Sequence, residues 1–243
     1  EGGYSYRSRF LSGNLNAYHT SWKNKPSNGG VTIEVDEAPY RANINGMNAL
    51  HQGIEMDFAY KLSNKLTFEG LVSLGNWKWT SSDTVRFYDD NNNPVIDDFG
   101  DAVIATFDAE GVHVGDAAQT QYGISVRYEP TSNSYFKVRG TYFDNYYSDF
   151  DPLSLNGENA GRESWKIPAY QLIDLHAGYK ISITPKNKLD IKFSVLNLLN
   201  EIYISDAQNN DPYNANYQDF DAKSAGVFFG LGRRFNVSAK INF

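Results

Sequence analysis

The sequence predicts an all-β protein, a transmembrane antiparallel β-barrel, and three observations carry that prediction. Apolar and polar residues alternate with period two over long segments. The connections between these segments alternate between short and long. The composition, with 17 Tyr, 15 Phe, 4 Trp and 20 Gly in 243 residues, is strand-forming, yet the mean hydropathy is −0.52. A spanning helix needs about 20 consecutive apolar residues, and every apolar run here is far shorter. Barrel strands of about 9 to 11 residues alternate lipid-facing and lumen-facing side chains, so they average out as hydrophilic.

The alternation is clearest in residues 227–243. Odd positions read Val227, Phe229, Leu231, Arg233, Phe235, Val237, Ala239, Ile241 and Phe243, and even positions are polar or glycine except Phe228. Two faces that differ this sharply meet two different environments. The same split recurs at residues 53–62, where Ile54, Met56, Phe58, Tyr60 and Leu62 oppose Glu55, Asp57 and Lys61, and again at 121–128, 173–181 and 189–195. Residues 10–22, 66–80 and 135–146 repeat it more loosely. About eight strands result.

Short turns are expected at 63–65, 130–133 and 184–187, which are rich in turn-forming residues. Long polar connections lie at about 23–45, 81–118, 149–167 and 200–224. Short turns on one rim and long loops on the other are the asymmetry of outer-membrane barrels. With the short turns periplasmic, the last strand descends from an external loop and ends in the periplasm. Trp22, Trp77, Trp79 and Trp165 fall where strands meet long loops. They are expected to form an aromatic girdle at the external headgroup level.

The loops hold the charge. Residues 81–118 carry nine acidic side chains against one basic, Arg86, a net of −8, whereas the whole chain has −7. Asp89, Asp90, Asp97 and Asp98 offer hard oxygen ligands that suit Ca²⁺, but the segment lacks the glycine and glutamate of an EF-hand loop. A solvated acidic loop is the favoured expectation. In the loop from 200 to 224, Asp206, Asn209, Asn210, Asp211, Tyr213 and Tyr217 set aromatic rings beside amides and carboxylates, a combination suited to sugar or peptide contact. Catalysis has little support. His19, His51, His113 and His176 show no metal-ligand spacing, and no nucleophile elbow or phosphate loop occurs. His176 falls on a polar strand face and is expected to be hydrogen-bonded there. No cofactor and no nucleic-acid partner are expected.

Several stretches resemble one family. Residues 46–55 (GMNALHQGIE), 75–79 (GNWKW), 114–119 (VGDAAQ), 197–203 (NLLNEIY) and 230–235 (GLGRRF), with the terminal Phe243, are similar in order and spacing to the C-terminal barrel portion of TonB-dependent outer-membrane receptors, particularly those of Bacteroidetes. That resemblance implies a 22-stranded barrel in the bacterial outer membrane, of which residues 1–243 would supply the C-terminal part. It implies active transport of a nutrient (siderophore, vitamin, glycan or peptide), not enzymatic activity. Implied partners are membrane lipid, an upstream plug and further barrel strands, TonB acting through an N-terminal region, and a surface lipoprotein lid. It also gives Phe235, Val237, Ala239, Ile241 and Phe243 the pattern of an assembly signal. The chain begins at Glu1 with no initiator Met or signal peptide, so upstream sequence is expected. Two other readings stay open: a small complete eight-stranded outer-membrane barrel acting as adhesin or enzyme, and a soluble lectin-like sandwich with a Ca²⁺ loop.

Overall fold

A computed structural model describes every residue except 26–30, 36–37, 43–46, 90–92, 186, 210–221, 224 and 243. Chain order runs β1 (Gly2–Arg7), β2 (Leu11–Lys25), β3 (Val31–Val35), β4 (Ala38–Ala42), β5 (Met47–Lys61), β6 (Leu66–Trp79), β7 (Ser82–Arg86) and β8 (Ile104–Asp108). It continues with β9 (Thr120–Thr131), β10 (Ser134–Asp144), β11 (Tyr146–Tyr147), β12 (Asp149–Phe150), β13 (Lys166–Ile167), β14 (Tyr170–Ser182), β15 (Lys188–Leu196), β16 (Ile204–Asn209), β17 (Gly226–Phe229) and β18 (Arg234–Asn242). Among the described residues, nine strands form one sheet in the order β1-β2-β5-β6-β9-β10-β14-β15-β18. Every neighbouring pair in it is antiparallel. Long connections at one end carry the remaining strands.

The count exceeds the expected eight by β1, whose six residues are too short to display a periodicity of their own. Its register, Tyr4 opposite Leu15 and Tyr6 opposite Gly13, extends the apolar face. The sheet is open, because β1 and β18 do not pair among the described residues. Nine strands in a single open sheet match neither a closed eight-stranded barrel nor two stacked sheets.

The register shows why period two dominates the sequence. One row crosses eight strands as Leu11, Tyr60, Phe68, Val126, Val138, Leu175, Val195 and Phe235. The row one residue along each strand points to the opposite face. It crosses seven strands as Lys61, Thr67, Arg127, Lys137, His176, Ser194 and Asn236. Much of the apolar face is exposed, with Ile124 63 % and Val237 72 % accessible, although Val195 is covered. A continuous apolar surface of this extent is rare on proteins surrounded by water.

One expected strand is two. Residues 227–243 split into β17, which pairs with β16, and β18, which pairs with β15. Asparagine side chains and a close approach make the break. The Arg233 amide donates to Asn200 Oδ1 at 2.9 Å, and Asn197 Nδ2 donates to the Leu231 carbonyl at 3.3 Å. Tyr203 lies against Gly230, where a Cβ would come within 2.0 Å of the ring, so a larger residue here would have to displace Tyr203. Both exceptions to the sequence alternation mark this event: Phe228 belongs to the small sheet and Arg233 to the break.

Candidate functional site

Two surfaces hold chemistry: the polar face of the nine-stranded wall and the cap built by the long connections.

On the polar face, strand alternation brings residues from distant strands into one network. Glu69 accepts the Ser125 hydroxyl at 2.7 Å and forms an ion pair with Lys137. Arg139 pairs with Asp174 at 2.6 Å, and the Asn197 amide donates to the other Asp174 oxygen at 3.0 Å. Asn14 donates to both oxygens of Asp57, at 3.1 and 3.0 Å. His176 Nδ1 lies 2.9 Å from Ser194 Oγ, a hydrogen-bonded wall position. Asp57, Glu69, Ser125, Lys137 and Arg139 line a cavity of about 480 Å³ on this face. The carboxylates and cations largely satisfy one another, an arrangement for a stable hydrophilic wall rather than for proton transfer.

The tryptophans divide between the polar strand face and the cap. Trp77 and Trp79 share the strand face of Glu69 and Ser73, and Trp22 that of Asn14 and Tyr18. Trp77 stacks on His51 at 5.1 Å and donates its indole N–H to Tyr18 Oη at 2.8 Å, while Trp22 meets His51 edge-on at 6.3 Å. Trp79 is 7 % exposed in the cap core, and Trp165 packs against the second core cluster. The alternating register assigns the side, which position along the strand does not reveal. On the apolar face, Tyr60, Tyr128, Phe136 and Tyr179 lie near the short-turn rim instead.

The 81–118 connection, expected to be a solvated loop, is folded. Val85, Phe87, Val95, Phe107, Ala109, Val112 and Val114 bury one side of the β7–β8 hairpin against Met47, Ala49, Trp79, Phe150 and Leu155. Its acidic side chains decorate the surface, so composition alone reported the outside and not the core. Gln119, almost fully buried, pins this connection to β6, accepting the Trp77 amide at 2.7 Å and donating to the Val114 carbonyl at 3.1 Å. His113 clasps the neighbouring connection, with Nδ1 2.6 Å from Glu163 Oε2 and its ring stacked on Tyr147 at 4.2 Å. A second cluster (Ala118, Tyr146, Ile167, Ala207) joins three connections. The contacts that tie one connection to another have no local signature, because their partners lie 42 residues apart in the Trp77–Gln119 pair and 50 apart in His113–Glu163.

Burial and pairing set the ionisation of the cap. Asp151 accepts the Leu153 amide at 2.9 Å, capping a short 3₁₀ turn, and its burial pushes the carboxyl up. Lys166 Nζ lies 2.9 Å from Asp144, which draws the ammonium up. Burial raises the Tyr146 and Tyr147 phenols. The Tyr146 hydroxyl donates to the Ser205 carbonyl at 2.8 Å.

The remaining predicted positions are placed as follows. Phe235, Val237, Ala239 and Ile241 lie on the apolar face of β18, opposite Val195, Phe193, Ile191 and Leu189. Phe243 lies outside the described residues. Asp89 accepts the Asn93 amide at 2.7 Å, and Asp97 accepts those of Phe99 and Asp101, each at 2.9 Å. These carboxylates organise turns. Asp98 is exposed at the same tip, Asp90 lies outside the described residues, and among the described residues no three His, Asp or Glu side chains gather as a metal cage. Asp206 Oδ1 accepts the Ala207 amide at 2.9 Å in β16, whose last residue is Asn209. Asn210, Asp211, Tyr213 and Tyr217 lie outside the described residues.

An open antiparallel wall with one apolar and one hydrogen-bonded face, crowned by folded long connections, defines a segment of a membrane β-barrel. Residues 1–198 match the family described as TonB dependent receptor-like, beta-barrel. The chain belongs to that family, one of outer-membrane transport receptors and not of enzymes. Its fold is similar to those of the copper transporter OprC (TM-score 0.56, 14 % identity) and the ferric yersiniabactin uptake receptor FyuA from Yersinia pestis (0.57, 14 %). The FrpB iron transporter from Neisseria meningitidis is a third such structure (0.54, 18 %). Each comparison covers 99 % of this chain and 29 to 30 % of the other. The chain therefore spans under a third of the length of these structures. No curated protein matches it.

Proposed function

We propose that this chain is the C-terminal part of the barrel of a TonB-dependent transporter that takes up a scarce nutrient, whether siderophore, vitamin, glycan or peptide. The observation that carries the reading is the paired register: one face apolar across eight strands, the other polar across seven. Lipid meets the first face, and the second lines a lumen closed by a plug from upstream sequence. The cap captures the nutrient, with Asp206 and the segment containing Asn209, Asn210, Asp211, Tyr213 and Tyr217 in contact with it. TonB then displaces the plug through an N-terminal segment, and no residue of this chain makes or breaks a covalent bond.

The test is accumulation of labelled siderophore, vitamin, oligosaccharide and peptide in cells producing the full-length protein, with and without TonB. One cargo is expected to accumulate, and only when TonB is present. Uptake of that cargo at the same rate without TonB would overturn the reading.

A further inference from the structure

The β7–β8 hairpin has an apolar side too many. Its inner side, with Val85, Phe87, Val95 and Phe107, fills the cap core. A hairpin packed on one side is expected to be polar on the other. Here the outer side carries Tyr88, Ile96 and Ile104, all exposed, beside the exposed Pro94. Tyr88 is bridged to Pro94, Ile96 to Ala102, and Ile104 pairs with Arg86, so these side chains form one patch. At its end stands Phe99, 90 % exposed.

The tip is held rigidly. Asp97 Oδ1 accepts the Phe99 and Asp101 amides at 2.9 Å, the Asp97 amide donates to the Asp101 carbonyl at 2.8 Å, and Gly100 closes the turn at φ 85°. The backbone that carries this exposed aromatic is thus ordered before docking, which lowers the entropic cost of an interface anchor. Asp98 and Asp101 are exposed on either side of Phe99–Gly100 and Asp89 and Asp97 follow Tyr88 and Ile96 directly, with Arg86 the one basic residue of the connection. That rim repels a second copy of itself and an anionic membrane surface, and attracts a basic one.

We propose that the outer side of this hairpin docks a separate protein, which receives Phe99 in an apolar pocket rimmed by lysine and arginine. The site lies outside the cell, and this point rests on the transporter reading, in which the long connections face outwards. Two measurements keep the proposals apart. A Phe99→Cys variant of the full-length protein, labelled on intact cells with a membrane-impermeant maleimide against the unsubstituted protein as blank, reports orientation; residues 1–243 contribute no cysteine. Protection from the reagent would remove both the orientation and the docking site.

With labelling positive, p-benzoylphenylalanine in place of Phe99 is photoactivated on intact cells, with the exposed Glu158 as control position. The expected result is one protein adduct specific to position 99. The crosslinked protein, once purified, should bind the receptor with affinity that falls as salt rises. Phe99→Ala should weaken binding about thirtyfold, and Asp98→Lys should slow association and flatten the salt dependence. No adduct beyond the control, an adduct only within the receptor itself, to a second copy or to lipopolysaccharide, or binding indifferent to Phe99→Ala would each overturn the proposal while leaving the orientation intact.

Discussion

In the wall, Val237 and Ile124 stand open on one face while Asp174 is buried on the other; in the cap, Phe87 and Leu155 are buried while Asp98 and Asp101 face outwards. The same residue types thus take opposite places within one chain. The wall exposes an apolar side because its sheet is one layer thick and nothing among the described residues covers it. The cap has enough chain to fold back on itself, so its connections make small cores of the kind found in water-soluble proteins. Where each region meets its solvent, rather than its composition, decides which side chains are hidden.

Four tests probe that contrast, beginning with the largest effect. Phe87→Ala in the cap core should cost about 3 to 5 kcal/mol of local stability, read as faster amide exchange through residues 81–118 while the wall strands keep their protection. Ile124→Arg on the apolar face should cost roughly 2 to 4 kcal/mol if that face lies at the bilayer midplane. The readout is the folded, heat-modifiable fraction in outer membranes. Equal tolerance of Ile124→Arg and the exposed cap substitution Thr106→Arg would remove the lipid from the account.

Third, Asp151→Ala should loosen the 152–167 connection by about 1 kcal/mol through loss of its cap. Asp151→Asn keeps an acceptor and removes a charge whose burial raises its pKa, so it should match or exceed the parent in stability at neutral pH. A raised carboxyl destabilises the fold when ionised, and lowering the pH through its folded value relieves this. The smallest effect belongs to the half-exposed Lys166–Asp144 pair, expected to contribute under about 1 kcal/mol. Protonating the Asp144 carboxylate in acid removes the attraction. Amide exchange in residues 145–167 of Lys166→Met should therefore differ from the parent at pH 7 and converge with it in acid.

The sequence by itself determined the wall. Strand spacing, apolar and polar faces, alternating short and long connections and the family all follow from local periodicity and motifs, because a period-two pattern survives in any register. It could not show β1, which is too short to alternate visibly, or the break at Gly230–Arg233, which needs Asn197, Asn200 and Tyr203 brought against it. It also missed the side on which Trp77 and Trp79 point. Only the tertiary structure decided the cap, where Gln119 reaches Trp77, His113 meets Glu163, and Phe99 is left outside a core that takes in Phe87 and Phe107. These contacts join positions far apart in the chain, and their energies depend on which surfaces meet, information that no local pattern of residues holds.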